Sequence, residues 1–88
     1  MRNQNMAYSR GQHYINYAVA LISIHMHDYK DSVGMEKISH LDSIRDELEK
    51  VQRIMQDLDY WMLCSHEKQK RLVDLVTDVS TFLAHAGV

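Results

Sequence analysis

Histidine is the residue type in this chain best suited to hold a metal ion, since six of the 88 residues are histidines. Zinc-binding helices usually carry a His-x-x-x-His or a Cys-x-x-Cys spacing, and neither occurs here. His25 and His27 are two positions apart, which turns their side chains about 200° from each other on a helix. His25 could share a face with Asp28 or Tyr29. We expect surface or boundary histidines, no metal site and no cofactor. His25, in an apolar segment, is a candidate for pH sensitivity.

Catalytic motifs are missing from the sequence. Cys64 and His66 could act as nucleophile and base only if they faced each other, and residues two apart on a helix do not. Asp57 and Asp59 fall on different helix faces, and no glycine pattern typical of a phosphate-binding loop occurs. We therefore predict no catalytic residue and a protein that is not an enzyme. As the only cysteine, Cys64 is interpreted as a small buried apolar residue in a reducing compartment.

The one basic cluster consists of Lys68, Lys70 and Arg71. Three cations would contact phosphates only weakly, and we interpret them as a solvated helix start or turn. Neither half of the chain is strongly basic. Up to Lys37, three acids and four bases give a net charge of +1, and from Ile38 onward nine acids and six bases give a net charge of −3. A nucleic-acid partner is therefore not expected.

Aromatic side chains are the most informative functional signal. Tyrosine and tryptophan combine a large apolar area with a polar tip, which suits the rim of a protein interface. The chain has five tyrosines and one tryptophan but a single phenylalanine. The alternative is a bundle core in which the polar tips reach solvent. We predict a partner or oligomer interface made of these residues: Tyr8, Tyr14, Tyr17, Tyr60 and Trp61.

The scarcity of proline and glycine indicates long helices with few turns. Proline is absent, and glycine occurs three times. The start of the chain has no apolar region of a secretory signal, and the apolar run 14–26 falls short of the roughly 20 residues that a spanning helix needs. These features predict a soluble, cytoplasmic protein with no membrane contact.

The first half of the chain predicts one helix and one connection. Residues 1–5 are polar and are expected to be frayed. Segment 6–29 carries two apolar rows at helical spacing, which predicts burial on most of its sides. Segment 30–37 contains turn-forming residues, and Ser39, with Asp42 three positions later, is expected to cap the next helix. The second apolar row is Tyr14, Tyr17, Leu21 and Ile24.

The second helix, predicted over 39–64, has the most regular pattern. Its apolar residues alternate in steps of three and four, as in a heptad seam. The seam could form the core of a bundle or pair with another chain in a coiled coil. The predicted core seam is Leu41, Ile44, Leu48, Val51, Met55 and Leu58.

The heptad phase continues past Ser65, so a single helix over 39–86 is one alternative. The other is a break at Ser65, which resembles a helix start, followed by a third helix over 66–86. We favour the break. The predicted fold is a single all-α domain over 1–88. It is either a three-helix bundle or a helical hairpin with a long heptad-patterned C-terminal helix, and in both cases it is oligomeric.

The expected function rests on the classes of function excluded above and on the aromatic residues predicted to form an interface. We expect a small non-enzymatic regulatory protein that binds and inhibits or redirects another protein, for example a phage-type antirepressor or anti-activator acting on a transcription regulator. One alternative is a structural or chaperone-like helical subunit of a larger assembly. A second is a nucleic-acid-binding regulator. The expected partners are a second copy of the chain and a protein of unknown identity.

Overall fold

The computed structural model describes residues 4–86, and within them every regular element is an α-helix. This confirms the predicted all-α class. No helix in residues 4–86 combines the length and apolar character that crossing a membrane requires. The helices are α1 (Gln4–Asp31), α2 (Met35–Met55), α3 (Leu58–Trp61) and α4 (His66–Ala86).

Helix α1 is longer at both ends than the predicted segment 6–29. Of the segment expected to be frayed, residues 1–3 lie outside the described residues, and positions 4 and 5 already belong to α1. The polar residues at its start carry no helix-breaking signal, because neither glycine nor proline occurs among them. Polarity alone therefore misplaced the start of this helix.

The connection between α1 and α2 is shorter than the predicted segment 30–37. Gly34 has a φ of 62°, in the left-handed region that glycine adopts without a steric penalty. This conformation lets the chain reverse its direction within a short turn. Helix α2 begins at Met35, directly after Gly34, and no side chain caps its start. The prediction that Ser39 caps this helix is therefore wrong, since Ser39 already lies inside α2.

The heptad seam is interrupted at Gln56 and Asp57, where α2 ends. The Asp57 carboxylate accepts a hydrogen bond of 3.0 Å from the Asp59 backbone amide and thereby starts the short helix α3. The change of direction turns Leu58 outward, and 70% of it is exposed. The prediction that Leu58 belongs to the core seam is therefore wrong. The other seam residues are buried (Ile44, Leu48, Val51) or half-buried (Leu41, Met55).

A second interruption separates α3 from α4. Helix α4 begins at His66, and the Ser65 hydroxyl accepts a hydrogen bond of 3.1 Å from the Lys68 backbone amide. This is the bond with which a serine caps a helix start. The chain consequently does not form one helix over 39–86, and the segment predicted as a helix over 39–64 is divided into α2, α3 and a turn.

The core consists of two clusters along a molecule of 51 × 19 × 16 Å. Helices α1 and α2 form an antiparallel hairpin, and α4 packs against it. At one end, buried residues of α1, α3, the turn after α3 and α4 pack together: Ile15, Tyr60, Cys64 and Leu72. Toward the other end, α1, α2 and α4 contribute aliphatic side chains: Ile22, Ile44, Leu48 and Val79.

Candidate protein-binding surface

One apolar row of α1 faces the core and the other faces solvent. Ile15, Ala18 and Ile22 are each 2% exposed, whereas the second row points away from the bundle. The expectation that α1 is buried on most sides is wrong for a single chain, because α2, α3 and α4 cover only one side of it. We call the second row the outer stripe. Its members are Leu21, which is half-buried, and Tyr14, Tyr17 and Ile24, which are 55%, 62% and 53% exposed.

An open groove of about 380 Å³ runs beside the outer stripe, between α1 and α2. Its floor contains Glu47, which is only 9% exposed and whose carboxylate accepts a bond of 3.0 Å from the Lys50 ammonium group. This ion pair neutralises the buried carboxylate, so the groove presents apolar tyrosine faces beside a satisfied polar floor. The lining residues are Tyr14, Tyr17, Glu47, Lys50, Arg53 and Ile54.

Opposite charges stand at the two ends of the outer stripe. Arg10 precedes Tyr14 by four residues, and Asp28 follows Ile24 by four residues. Both are exposed, and the helical repeat places them on the same side of α1 as the stripe. The stripe is therefore an apolar strip with a cation at one end and an anion at the other.

A second exposed apolar surface lies at the corner between α3 and α4. Leu58, Met62 and Leu63 are 70%, 76% and 42% exposed, and we call them the corner patch. Leu58 and Met62 are four residues apart, so they share a face of the chain at this corner. The exposed neighbours along the sequence include three acids: Asp57, Asp59 and Glu67.

Tyr60, predicted to contact a partner, is instead a core residue. It is 1% exposed, its hydroxyl donates a hydrogen bond of 3.1 Å to the Gln12 side-chain oxygen, and its ring stacks on Tyr8 with centroids 5.3 Å apart. Gln12 satisfies the polar tip, which removes the reason for placing this tyrosine at a wet interface. Burial, reinforced by a hydrogen bond with Cys64, raises the pKa of the Tyr60 hydroxyl well above its ordinary value.

Tyr8 and Trp61 are half-buried and pack against the same core cluster. The Tyr8 hydroxyl accepts a hydrogen bond of 3.2 Å from Lys68, and the Trp61 carbonyl accepts one of 3.0 Å from Gln69. Of the five aromatic residues predicted to form an interface, the structure thus brings Tyr14 and Tyr17 together on an exposed surface. It places Tyr8 and Trp61 at the edge of the core around Tyr60.

Two further candidates from the sequence have local explanations. Cys64 is 8% exposed and lies within hydrogen-bond distance, 3.5 Å, of the Tyr60 carbonyl, as a small buried residue would. In the basic cluster, Lys68 is engaged with Tyr8, and Lys70 lies 3.7 Å from the Asp74 carboxylate. The cluster therefore does not present three unengaged cations to a phosphate backbone.

A pair of histidines comes together that the sequence did not indicate. The Nδ1 atoms of His25 on α1 and His40 on α2 are 2.9 Å apart, and both side chains are partly buried. Their separation of 15 residues matches no metal-binding spacing, so only the hairpin register reveals the pair. Among residues 4–86, no three His, Cys, Asp or Glu side chains converge on one point.

No protein family, curated protein or solved structure matches this chain. Its fold therefore carries no functional assignment from a relative. Three features of the described residues bear on function: the outer stripe, the corner patch and the histidine pair.

Proposed function

We propose that this chain is a small non-enzymatic regulatory protein that forms a homodimer and binds another protein, which it inhibits or redirects. The observation that supports this function is the exposure of two separate apolar surfaces, the outer stripe and the corner patch. Contiguous exposed apolar surface on a small domain is typical of protein interfaces. An antirepressor or anti-activator acting on a transcription regulator would use such surfaces.

The outer stripe is assigned to a second copy of the chain because its pattern is symmetric. Positions 10, 14, 17, 21, 24 and 28 follow steps of four, three, four, three and four. An antiparallel copy centred on Val19 therefore places Tyr14 opposite Ile24, and Tyr17 opposite Leu21. The same arrangement places Arg10 of each chain opposite Asp28 of the other, as a two-fold interface requires. Heptad spacing and opposite flanking charges are the features that pair helices in coiled coils.

The corner patch is assigned to the regulated protein because its charge differs from that of the stripe. Exposed Asp57, Asp59 and Glu67 accompany the apolar residues along the chain, so a complementary surface would be apolar and ringed by lysine or arginine. DNA-binding surfaces of transcription regulators are basic in this way. A chain that covers such a surface would displace DNA, which is how an antirepressor would act.

A structural or chaperone-like subunit is the alternative that the groove beside the stripe favours. Tyr14, Tyr17 and Ile54 would then receive a helix of a larger assembly in place of a second copy. The two proposals differ in what covers the stripe when the protein is alone in solution. Only the first predicts a dimer of the purified chain.

The corner patch is tested by crosslinking followed by a DNA-binding assay. A photo-reactive amino acid at Met62 captures the regulated protein in host cells, and the same amino acid at exposed Thr77 on α4 is the matched control. The captured protein is then produced and its binding to DNA is measured by mobility shift. We expect the wild-type chain to release the DNA and the Met62→Glu chain to fail. Equal capture from both positions, or DNA binding unaffected by the wild-type chain, would overturn this assignment.

A further inference from the structure

We propose that His25 and His40 form a binding site for a divalent transition-metal ion that links α1 to α2. The two imidazoles come from different helices, and their Nδ1 atoms are 2.9 Å apart. Imidazole nitrogen is a preferred ligand of Cu²⁺, Ni²⁺ and Zn²⁺, whereas Mg²⁺ and Ca²⁺ prefer oxygen. Neither histidine is a member of the outer stripe or of the corner patch.

The distance between the two nitrogens fits a shared metal ion. With metal–nitrogen bonds of about 2.0–2.1 Å, two neighbouring ligands of a square or octahedral ion are about 2.9 Å apart, and those of a tetrahedral ion about 3.3 Å. The observed 2.9 Å needs no change for the first geometry and an opening of a few tenths of an ångström for the second. Both rings are only partly buried, so each can tilt until its lone pair points at the ion.

Metal binding to a neutral pair requires no net release of a proton. In a metal-free pair of neutral rings, the Nδ1 of one ring carries a hydrogen and donates it to the Nδ1 of the other ring. When the ion binds, that hydrogen moves to Nε2 of the same ring, and both Nδ1 lone pairs face the metal. Since no third His, Cys, Asp or Glu converges here within residues 4–86, water completes the coordination.

A metal ion at this position should hold the hairpin closed. His25 lies near the end of α1 and His40 near the start of α2, so the ion bridges the two helices close to the turn at Gly34. An ion that binds the folded chain and not the unfolded chain raises the melting temperature with increasing metal concentration. Of the three ions, Cu²⁺ should bind most tightly.

The test is a Cu²⁺ titration of the full chain without an affinity tag, followed by thermal melting and by electron paramagnetic resonance. Saturating Cu²⁺ should raise the Tm by about 5 °C or more, and the resonance spectrum should show two coordinating nitrogens. His40→Gln and His25→Gln, which keep hydrogen-bonding capacity, should weaken binding by about 100-fold because the second ligand is lost.

The matched control is His27→Ala, since the His27 side chain is 80% exposed and is two residues from His25. Its affinity and Tm shift should equal those of the wild type. If His40→Gln does not fold, the number of nitrogens in the wild-type spectrum decides the question alone. Binding that survives His40→Gln, a Tm that does not rise, or a spectrum with one nitrogen would overturn the proposal.

Discussion

Gly11 of α1 lies directly against the ring of Tyr60. A Cβ atom at position 11 would come within 2.6 Å of Tyr60 Cδ1 and within 3.2 Å of Ile54 Cγ2. The absence of a side chain at Gly11 therefore lets α1 approach both α2 and the short helix α3. This contact explains how an 88-residue chain buries a tyrosine to 1% exposure.

Gly11→Ala should destabilise the fold even though alanine favours helices. Alanine gains about 1 kcal/mol of helix propensity over glycine, whereas forcing a methyl group into a filled site costs about 1–3 kcal/mol. We expect a net loss in free energy of unfolding, measured by urea denaturation. Ser23→Ala, at an exposed position of the same helix, should leave stability unchanged or raise it slightly. A Gly11→Ala chain as stable as Ser23→Ala would contradict the contact.

Burial of Tyr60 predicts a loss of stability at alkaline pH. An unfolded tyrosine ionises near pH 10, whereas the folded pKa of Tyr60 is raised, first by burial and then by Cys64. The stabilisation from neutral Tyr60 is therefore complete below about pH 10 and is lost as pH rises further. Urea denaturation at about pH 8 and about pH 11 measures this loss. Tyr60→Phe should lose less stability between the two pH values than the wild type, and exposed Tyr17→Phe should behave as the wild type does.

Leu48 and Leu58 share the heptad pattern but not the core. Leu48 is 6% exposed and Leu58 is 70% exposed. Leu48→Ala should therefore lower the free energy of unfolding by about 2–5 kcal/mol, and Leu58→Ala should change it by less than about 0.5 kcal/mol. Circular dichroism melts of the two variants, side by side, measure the difference. Equal losses would mean that α2 continues through Leu58 and that the break at Asp57 is wrong.

The Ser65 cap should contribute measurably to stability. Its hydroxyl satisfies the Lys68 backbone amide at the start of α4, and removal of such a cap typically costs about 1 kcal/mol. Ser65→Ala should therefore lower stability by about that amount in urea denaturation. Ser80→Ala, in the middle of α4, should be neutral or stabilising. If the two variants were equally stable, α4 would not start at this serine.

The sequence predicted helices better than it predicted their ends. Heptad spacing continues through Leu58, and this regularity conceals the break that the Asp57 carboxylate and the following turn produce. A pattern of apolar residues reports which positions are able to face a core, and it does not report where the backbone turns. The cap at Ser65 was visible because a hydroxyl residue stood directly before a polar helix start.

Side-chain roles that depend on contacts between helices could not be predicted from the sequence. Tyr60 is a core residue because Gly11 and Gln12 oppose it from 48 and more positions away. His25 and His40 meet because the turn at Gly34 sets the register of the hairpin. Tyr14 and Tyr17, by contrast, belong to a row that the spacing alone identified. Only the packing of α2 and α4 showed that this row faces solvent.

Tyr14→Ala should separate association from folding. Tyr14 is 55% exposed, so the variant should keep the helical signal and nearly the same melting temperature as the wild type. The same substitution removes an aromatic contact from the proposed dimer, and association should weaken. An unfolded Tyr14→Ala chain would show that the outer stripe belongs to the core.

The most direct test of the proposed dimer is sedimentation equilibrium of a charge-swap series at micromolar concentration. The series compares the wild type, Arg10→Asp, Asp28→Arg and the double variant. We predict a wild-type mass of about twice 10.3 kDa, weaker association of each single variant because like charges meet, and recovery in the double variant because each pair is reversed. A wild-type chain that remains a 10.3 kDa monomer, or a double variant no better associated than the weaker single variant, would contradict the assignment of the outer stripe.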